Sequence, residues 1–478
     1  MSKTPNLALR SWVRTVAEHT QPDDVHWWAG TDEERKAVTP GFAASLANEQ
    51  RALDPAPVVV ATHRRVDAGP TNLWMSRDDA QARLWPLFSG VMRRRTMYVV
   101  PYMLGAPRSP FCKVGVELTD SPRVAASIDA LARSGRAPLD ELAGSLNFAR
   151  SIHSVAHLKQ QEQLIVHFPD IVETWSIGSD SLPNAVLCCG TEGLRLASAR
   201  AREEGWLAEH MTLFSVTDPS GAASHLAVAG ADAGGIDELE AIPPLTLGWQ
   251  IKRLGGEVCW LRASEDGTLS AICPDLRSWE PTRGVPLSAI VFCGRQARST
   301  PLVYEARSWR HGVYVGATLM REMDGAGSLG HNPMSMLGTC SYNMGNYFSH
   351  WLAIGRKLHY PPKIFHVNWF RTEGGTQRIW PGGQDNMRIL KWIIERCAGD
   401  APARSSALGL TPDPAALDRD GLDLAEDRLA QALTGNPAAL LRQAEGARRF
   451  LSKFGDCLPA ALLTEHRSLV RRLQESLH

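Results

Sequence analysis

The sequence carries no net charge and no long apolar run, and its first 20 residues have no apolar centre; each of these absences argues against a class of protein. Lysine plus arginine and aspartate plus glutamate number 51 each, so no overall field attracts nucleic acid or an acidic membrane. No run approaches the roughly 18 consecutive apolar residues of a membrane helix, and residues 1–20 lack the apolar centre of a secretion signal. We therefore expect a cytoplasmic protein with no nucleic-acid or membrane partner.

The nine cysteines include no C-x-x-C pair, which argues against a structural zinc site. The adjacent Cys188 and Cys189 are the one unusual spacing. Thiols stay reduced in the cytoplasm, so buried and unreactive cysteines are expected.

The chain is long enough for two or three domains, since single hydrophobic cores stop growing near about 250 to 300 residues. Apolar, β-branched runs predict strands at 57–63, 95–104 and 113–120, and the helical pattern PRVAASIDALARSG follows. Strands and helices are mixed in this way along the whole chain. The pattern predicts an α/β or α+β fold without repeats.

Local signals indicate where some elements begin and end. Thr31 and Glu34 have the spacing of a capping box at the start of a helix. A further helix is predicted at 384–397. The stretch 399–421, rich in alanine, proline and aspartate, predicts a surface loop before a helical C-terminus.

The segment VAGADAGGIDELEA, residues 228–241, has the glycines of a phosphate-binding loop without its other residues. Such a loop needs a lysine for the phosphates and then a serine or threonine for the magnesium ion. Here Gly234 and Gly235 are followed by Ile236 and Asp237. The sequence has the outline of a nucleotide site and lacks its charges.

Eight longer stretches occur in the same order as in the GTP-dependent phosphoenolpyruvate carboxykinases, and the chain resembles that family from end to end. The stretches are LRSWV, QPDDVHW, RRTMYVVPYMLG, VGVELTDSP, GLRLASARAREEGWLAEHM, TPLVYEARSWRHGVYVGA, YNMGNYFSHWL and PKIFHVNWFR. The resemblance implies a monomer with two lobes and a central cleft. In that cleft oxaloacetate is decarboxylated and the enolate is phosphorylated by GTP beside a divalent metal, usually manganese. We expect an N-terminal substrate-side lobe at 1–210 and a C-terminal lobe at 211–478, which holds a degenerate nucleotide-binding domain and the helical C-terminus.

The phosphate loop of that family can be matched without gaps from the shared stretch EGWLAEH. The resemblance then places its lysine at Ile236 and its threonine at Asp237. Three carboxylates would line the loop: Asp232, Asp237 and Glu238. Each unpaired carboxylate would oppose triphosphate binding by roughly a few kcal/mol. GTP is therefore not expected to bind.

The family also stacks the guanine base on aromatic rings in and after the stretch HVNWFR. Phe370 keeps one ring, whereas Arg378 and Gly383 stand where the resemblance places two others. Each lost ring removes roughly 1 to 3 kcal/mol of stacking. The base is expected to be held weakly.

For the metal, the resemblance implies a lysine, a histidine and an aspartate as ligands. The histidine matches His210, while the other two positions fall on Gly190 and Glu257. His210 and Glu257 are therefore candidate ligands of Mn²⁺ or Mg²⁺, but no cofactor is certain because two ligands rarely suffice. Further donors could come from Cys188, Cys189, Glu192 or Asp232. The alternative is a hydrogen-bonded cleft histidine without a metal.

Two arginines are candidates for binding a small anionic metabolite. Arg65 resembles an arginine of a substrate-binding stretch, with Arg64 as a rival, and Arg295 matches a phosphate-contacting arginine. Asn184 is what remains of the family's Tyr-Gly-Gly-Asn substrate stretch. Together Arg65 and Arg295 would clamp a dianion; structural salt bridges are the alternative.

Two segments are shorter than in the family. Between SAICPD and RGVPLSAIVFCGR only LRSWEPT remains, so several dozen family residues have no counterpart. The lid over the cleft is reduced to 322–332, whose glycines leave the backbone few restraints. A moving loop is expected there.

These features lead to the hypothesis of a repurposed, nucleotide-independent lyase that decarboxylates a small oxo-acid or a phospho- or phosphonate-carboxylic acid. Decarboxylation beside a carbonyl needs a clamp for the acid and stabilisation of an enolate. His210, Arg65 and Arg295 are the candidate catalytic residues, with His210 as general acid. The alternative is a noncatalytic pseudoenzyme or scaffold, and an active GTP-dependent carboxykinase is the third hypothesis.

Overall fold

The computed structural model describes residues 4–38, 57–156, 163–178, 186–187, 190–230, 235–274, 284–294, 299–322, 329–373 and 377–477. The chain forms two compact units. The first is Met1–Glu204 with Pro274–Arg283 and Gly338–Asn343; the second is Gly205–Cys273 with Gly284–Leu337 and Met344–His478. Both contain sheets and helices, which confirms the predicted mixed α/β fold. Within the described ranges, no helix is long and apolar enough to cross a bilayer.

The first unit is built on one mixed sheet. Its described strands are β1 Asp24–Trp27, β2 Val58–Thr62, β3 Trp74–Ser76, β4 Thr96–Leu104, β5 Lys113–Thr119, β6 Arg133–Ser134, β7 Ala149–Ser154, β8 Leu164–Phe168 and β9 Glu173–Ile177. Its helices are α1 Leu7–Thr20, α2 Asp32–Val38, α3 Arg65–Ala68, α4 Arg77–Leu84, α5 Pro122–Leu131, α6 Arg136–Leu142 and α7 Gly190–Glu204. The strand order is β1-β4-β5-β7-β9-β8-β2-β3, with β6 beside β4. The strands predicted from their apolar runs correspond to β2, β4 and β5.

Helix α1 illustrates how the sequence produces the elements of this unit. Asn6 caps its first turn by accepting a hydrogen bond from the Leu9 backbone N–H at 2.9 Å. Leu9, Val13 and Val16 recur at helical spacing and are buried in the core formed with the sheet. The helix ends where Gln21 adopts a left-handed conformation, with φ 53°.

The predicted capping box at the start of α2 is confirmed. The Thr31 hydroxyl accepts from the Glu34 backbone N–H at 3.2 Å, and Glu34 Oε2 accepts from the Thr31 N–H at 3.1 Å. Partial burial acts to raise the pKa of the Glu34 carboxyl, but hydrogen bonds from the Thr31 N–H, from His26 and from the Ala29 N–H outweigh it and lower that pKa. The box therefore satisfies backbone donors that a helix start otherwise leaves unpaired.

The second unit contains a large sheet, a small sheet and two hairpins. Its described strands are β10 Leu207–His210, β11 Thr212–Thr217, β12 Ala223–Ala229, β13 Leu245–Thr246, β14 Trp249–Arg253, β15 Val258–Ala263, β16 Leu269–Ile272, β17 Val285–Pro286, β18 Ala289–Cys293, β19 Val303–Glu305, β20 Met320–Glu322, β21 Leu329–His331, β22 Lys363–Val367, β23 Thr372–Glu373, β24 Gln377–Arg378, β25 Ala403–Ser405 and β26 Leu410–Pro412. Its helices are α8 Gly235–Glu240, α9 Trp309–Ala317, α10 Met344–Gly355, α11 Asn386–Ala398, α12 Glu426–Leu433, α13 Pro437–Ser452 and α14 Ala460–Glu475. The large sheet has the order β13-β14-β11-β12-β18-β22-β19-β26-β25, and the small one β10-β15-β16-β17.

The centre of the large sheet consists of parallel strands. Strand β12 pairs with β18, and β18 pairs with β22, so their carboxyl ends lie at one edge. Buried strands of this kind read as continuous apolar runs, as in AIVFC of β18. Open α/β sheets bind their ligands at this edge.

The predicted loop at 399–421 is only partly correct. Strands β25 and β26 form a hairpin within it, and β26 pairs with β19 at Glu305 and Leu410, so the stretch extends the large sheet. Strands of three residues are too short to show the alternation of apolar and polar side chains. The alanine, proline and aspartate residues of the stretch therefore led to the prediction of a loop. The helix predicted at 384–397 is α11.

Candidate functional site

Three segments of the second unit leave the parallel strands at the same edge of the large sheet. Gly230 follows β12, Gly294 follows β18 and Asn368 follows β22. The register sets Ala229 opposite Phe292, and Phe292 opposite His366, so the three strand ends are level. This edge is the part of the unit where a ligand site is expected.

Two glycines allow the segment after β12 to approach β18. A Cβ on Gly235, the first residue of α8, would lie 2.5 Å from the Cβ of Cys293, and one on Gly230 would lie 2.6 Å from the same atom. Gly230 also has φ 154°. Both positions therefore need glycine for the close contact, and Gly230 needs it for its conformation as well. Residues 231–234, with the predicted loop residue Gly234, lie outside the described ranges.

Ile236 belongs to the hydrophobic core of the second unit. It is 9% exposed and joins a cluster that includes Val228 and Leu239. Its side chain therefore neither binds nor repels a phosphate group. The position matched to the family's lysine is a core position in this structure.

The acidic residues that follow are not all unpaired. Asp237 is exposed, but Glu238 accepts a hydrogen bond from Arg378 Nη1 at 2.7 Å and forms an ion pair with it. The expectation that Glu238 would oppose a triphosphate as an unpaired carboxylate is therefore wrong, because its charge is balanced by Arg378. Asp232, the third carboxylate of that argument, lies outside the described residues.

Arg378 also covers the one aromatic ring retained from the base pocket. Its guanidinium carbon is 4.8 Å from the centroid of the Phe370 ring, a cation–π arrangement. Phe370 follows β22 at the ligand edge of the sheet and is 8% exposed. Arg378, which stands where the family has an aromatic ring, therefore covers one face of the Phe370 ring.

His210 and Glu257, the candidate metal ligands, are brought together. His210 is the last residue of β10, and Glu257 directly precedes β15. The His210 Nε2 lies 3.8 Å from Glu257 Oε2. The approach of the imidazole lowers the pKa of the Glu257 carboxyl. Among the described residues no group of three or more histidine, cysteine, aspartate or glutamate side chains comes together, so this pair supplies two protein donors.

The other ring nitrogen of His210 faces a strained turn. Nδ1 lies 3.4 Å from the Ser335 carbonyl oxygen, and the His210 N–H lies 3.1 Å from Met336 Sδ. Met334 and Ser335 both have positive φ, 52° and 59°, which side chains other than glycine rarely adopt. The buried Asn332 supports this turn by accepting from the Leu337 N–H at 3.1 Å. Strain of this kind is typical of functional sites.

A small cavity joins this turn to the strand edge. Its lining includes Gly230, Cys293, Arg321, Asn332 and Ser335. Arg321, in β20, therefore lines the same cavity as Gly230, where the glycine segment begins. Arg321 was not predicted from the sequence, because its position four residues after the end of α9 carries no motif and only the fold brings it to this edge.

Glu209, the neighbour of His210, is fully buried and holds β10 against α10. The Tyr347 hydroxyl donates to one carboxyl oxygen, and Trp351 Nε1 donates to the other at 3.0 Å. Burial raises the pKa of Glu209 to about 8, although both hydrogen bonds act in the opposite direction. Glu209 therefore fixes the strand that presents His210.

The proposed anion clamp is only partly described. Arg65 begins α3 in the first unit and is exposed; among the described residues its side chain has no hydrogen-bond or ion-pair partner. Its rival Arg64 donates to Asp67 at 2.8 and 3.1 Å, so the salt-bridge alternative applies to Arg64. Arg295 and Asn184 lie outside the described residues. The clamp stays a prediction.

The second unit combines parallel strands with a glycine segment that leads into a helix, and it also holds a histidine–carboxylate pair. These features are typical of α/β proteins that bind a nucleotide at the carboxyl ends of their strands. Comparison with protein families is consistent with this class. The phosphoenolpyruvate carboxykinase N-terminal domain matches residues 11–202, and the phosphoenolpyruvate carboxykinase C-terminal P-loop domain matches residues 206–276 and 276–472. The chain belongs to the GTP-dependent phosphoenolpyruvate carboxykinase family.

Individual relatives agree over nearly the full length. A phosphoenolpyruvate carboxykinase (GTP) of Anaeromyxobacter dehalogenans is 34% identical over 581 residues, which cover 98% of this chain and 98% of the relative. The corresponding protein of Chlamydia caviae is 31% identical over 594 residues, with 99% of both chains covered. The family inferred from the sequence stretches is thus confirmed.

The comparisons also locate missing sequence. The 581 aligned positions exceed the 478 residues of this chain by 103, so at least that many positions have no counterpart here. The match to the P-loop domain is interrupted at residue 276, within the stretch LRSWEPT that was predicted to replace several dozen family residues.

The hypothesis of a nucleotide-independent lyase is wrong. Relatives that align with this chain over nearly its full length are named as GTP enzymes, and the second half matches a P-loop domain. The hypothesis placed Ile236 at the position of the phosphate-binding lysine and treated Glu238 as one of three unpaired carboxylates. One is a core residue and the other is paired with Arg378.

Proposed function

We propose that this chain catalyses the GTP-dependent conversion of oxaloacetate into phosphoenolpyruvate and carbon dioxide. The observation that carries the proposal is the alignment over 98% of the chain with relatives named for this activity. In the reaction the bond between a carboxylate and the neighbouring carbon breaks and carbon dioxide leaves. The enolate oxygen then takes the γ-phosphoryl group of GTP, and GDP is released.

His210 and Glu257 suit a divalent cation. Two ligand atoms each about 2.1 Å from one ion are at most about 4.2 Å apart, and the His210 Nε2 to Glu257 Oε2 distance of 3.8 Å lies within that limit. The Ser335 carbonyl beside Nδ1 favours a hydrogen on Nδ1, which leaves the Nε2 lone pair for a metal. Mg²⁺ and Mn²⁺ accept such donors and keep several water ligands. A bound cation would supply electrostatic stabilisation of the enolate oxygen.

Arg321 is our candidate for the positive charge that the glycine segment lacks. Arg321 lines the cavity that Gly230 also lines, at the same strand edge. Arginine forms strong, charge-assisted hydrogen bonds to phosphate oxygens. Arg65, Arg295 and Asn184 are retained as proposed contacts of the substrate carboxylates.

A turnover assay tests this function. Phosphoenolpyruvate formation from oxaloacetate is measured with GTP and Mn²⁺, and again without nucleotide. We expect formation only with both, and a loss of at least about 100-fold in kcat/KM for His210→Ala, since even partners of a metal ligand account for 10- to 100-fold. His359→Ala, an exposed histidine of the same unit, is the matched control. Equal decarboxylation with and without GTP would contradict the proposal.

A further inference from the structure

The Phe370 ring is an aromatic surface at the ligand edge of the second unit. It follows β22, and one of its faces lies under the guanidinium of Arg378 at 4.8 Å. A nucleobase binds proteins by stacking on such ring faces. In this structure the Arg378 guanidinium already covers that face.

An ion pair with Glu238 positions Arg378 over the ring, and further contacts fix Glu238. Glu238, on α8, accepts from its Nη1 at 2.7 Å. The same carboxylate accepts from Asn386 Nδ2 at 3.3 Å, while Asn386 Oδ1 accepts from Trp380 Nε1 at 2.8 Å. Glu238 is thus fixed by buried neighbours and has a side chain only 14% exposed, whereas that of Arg378 is 44% exposed. Arg378, the more exposed residue of the pair, is therefore the one that can move.

We propose that Arg378 and Glu238 form a latch on the Phe370 ring, which a nucleotide base must open before it can stack there. The latch therefore sets the affinity of the chain for the base. This inference rests on the proposed function in one respect, since it takes the ligand to be GTP. It goes further by assigning a binding role to two residues of this chain.

The latch predicts a change in nucleotide affinity on removal of Arg378 that is opposite in direction to the change expected from charge alone. Removing an arginine near an anionic ligand ordinarily weakens binding, because a favourable charge is lost. If Arg378 instead blocks the ring, Arg378→Ala strengthens binding. The contacts to be broken are one cation–π contact and one exposed ion pair, which correspond to about threefold to thirtyfold in affinity.

The experiment is calorimetric titration of the full chain with GTP and Mg²⁺, and separately with guanosine, which lacks the phosphates. Arg378→Ala and Arg378→Gln are expected to bind both ligands about threefold to thirtyfold more tightly than the unmodified chain. Arg404→Ala, which removes another exposed arginine with a carboxylate partner in the same unit, should change affinity by less than about twofold. Adding Glu238→Gln to Arg378→Ala should give less than the product of the single effects, because either change opens the latch.

Unchanged or weaker binding of both ligands by the two Arg378 variants, including no detectable binding, would overturn the latch. The two proposals fail separately. Turnover with GTP but unaltered affinity in Arg378→Ala leaves the function and removes the latch. Tighter binding in Arg378→Ala by a chain without turnover leaves the latch and removes the function.

Discussion

Ile236 lies one residue after the glycine that begins α8, and its side chain turns into the core of the second unit. Counting along the sequence gave its position relative to the family's lysine, but not the direction of its side chain. That direction depends on β12 and on the close contact between α8 and β18. Two neighbouring residues of one motif, Ile236 and Asp237, consequently have opposite environments, one buried and one exposed.

Restoring a lysine at this position should therefore damage the protein. Ile236→Lys would place an ammonium group among apolar side chains, and we expect a loss of about 2 to 4 kcal/mol in the free energy of unfolding. Asp237→Asn, at the exposed neighbour, should stay within about 0.5 kcal/mol. Denaturant unfolding measures both. An Ile236→Lys variant with unchanged stability and tighter GTP binding would refute the core assignment.

Arg321 provides a second test at the scale of single residues. If its guanidinium contacts a phosphate of the nucleotide, Arg321→Ala should raise KM for GTP by about tenfold or more, since hydrogen bonds to charged groups contribute roughly 1.5 to 3 kcal/mol. Arg321→Lys should recover part of the loss because it keeps the charge. Steady-state kinetics with GTP varied, and Arg404→Ala as control, decides this. A KM for GTP unaffected by Arg321→Ala would remove Arg321 from the site.

The residues of the site were predictable to different degrees. His210 and Glu257 follow from sequence stretches that resemble the family, and the structure brings them to 3.8 Å. The turn that places the Ser335 carbonyl beside His210 could not be foreseen, because Met334 and Ser335 adopt positive φ without any glycine to signal it. The contacts of Arg378 with Phe370 and Glu238 were also missed, since a sequence match shows that an arginine replaces a ring and not what its side chain contacts.

At the scale of elements, strand β10 carries both a candidate ligand and the residue that anchors it. Glu209 is buried between β10 and α10, and His210 follows at the strand end. Strands and caps with strong local patterns were predicted well, as α2 and β5 show. The β25–β26 hairpin was not, because its pairing with β19 is a long-range contact.

The anchor predicts a pH dependence of stability. The pKa of Glu209 is about 8 in the folded chain, above its ordinary value of 4.5, so the folded state holds the proton more tightly. Its contribution is complete below about pH 4.5 and is lost as pH rises through about 8. Glu117, whose pKa burial also raises to about 8, acts in the same direction.

Glu209→Gln, which is neutral at every pH, should remove part of this dependence. Thermal or denaturant unfolding between pH 5 and 8.5 is expected to show a smaller loss of stability for the variant, by at least about 1 kcal/mol. Glu209→Ala is the contrasting change and should destabilise the chain at all pH values, because Tyr347 and Trp351 lose their acceptor. Identical pH profiles for Glu209→Gln and the unmodified chain would contradict the burial argument.

At the scale of the whole molecule, the chain keeps both halves of its family while at least 103 aligned positions are absent. The absent sequence includes the stretch at residue 276, between strands β16 and β17 of the small sheet. The strands on either side of it still pair, at Ala271 and Val285, so the sheet closes without the insertion. The small sheet is therefore preserved although the additional sequence of the relatives is absent here.

The central claim is that this scaffold still transfers a phosphoryl group from GTP. The most direct measurement supplies GTP labelled with ³²P in its γ-phosphate, together with oxaloacetate and Mn²⁺, and follows the label into phosphoenolpyruvate. We predict labelled phosphoenolpyruvate in an amount equal to the carbon dioxide released, and none with His210→Ala. Carbon dioxide released at the same rate without label in the product would contradict the account.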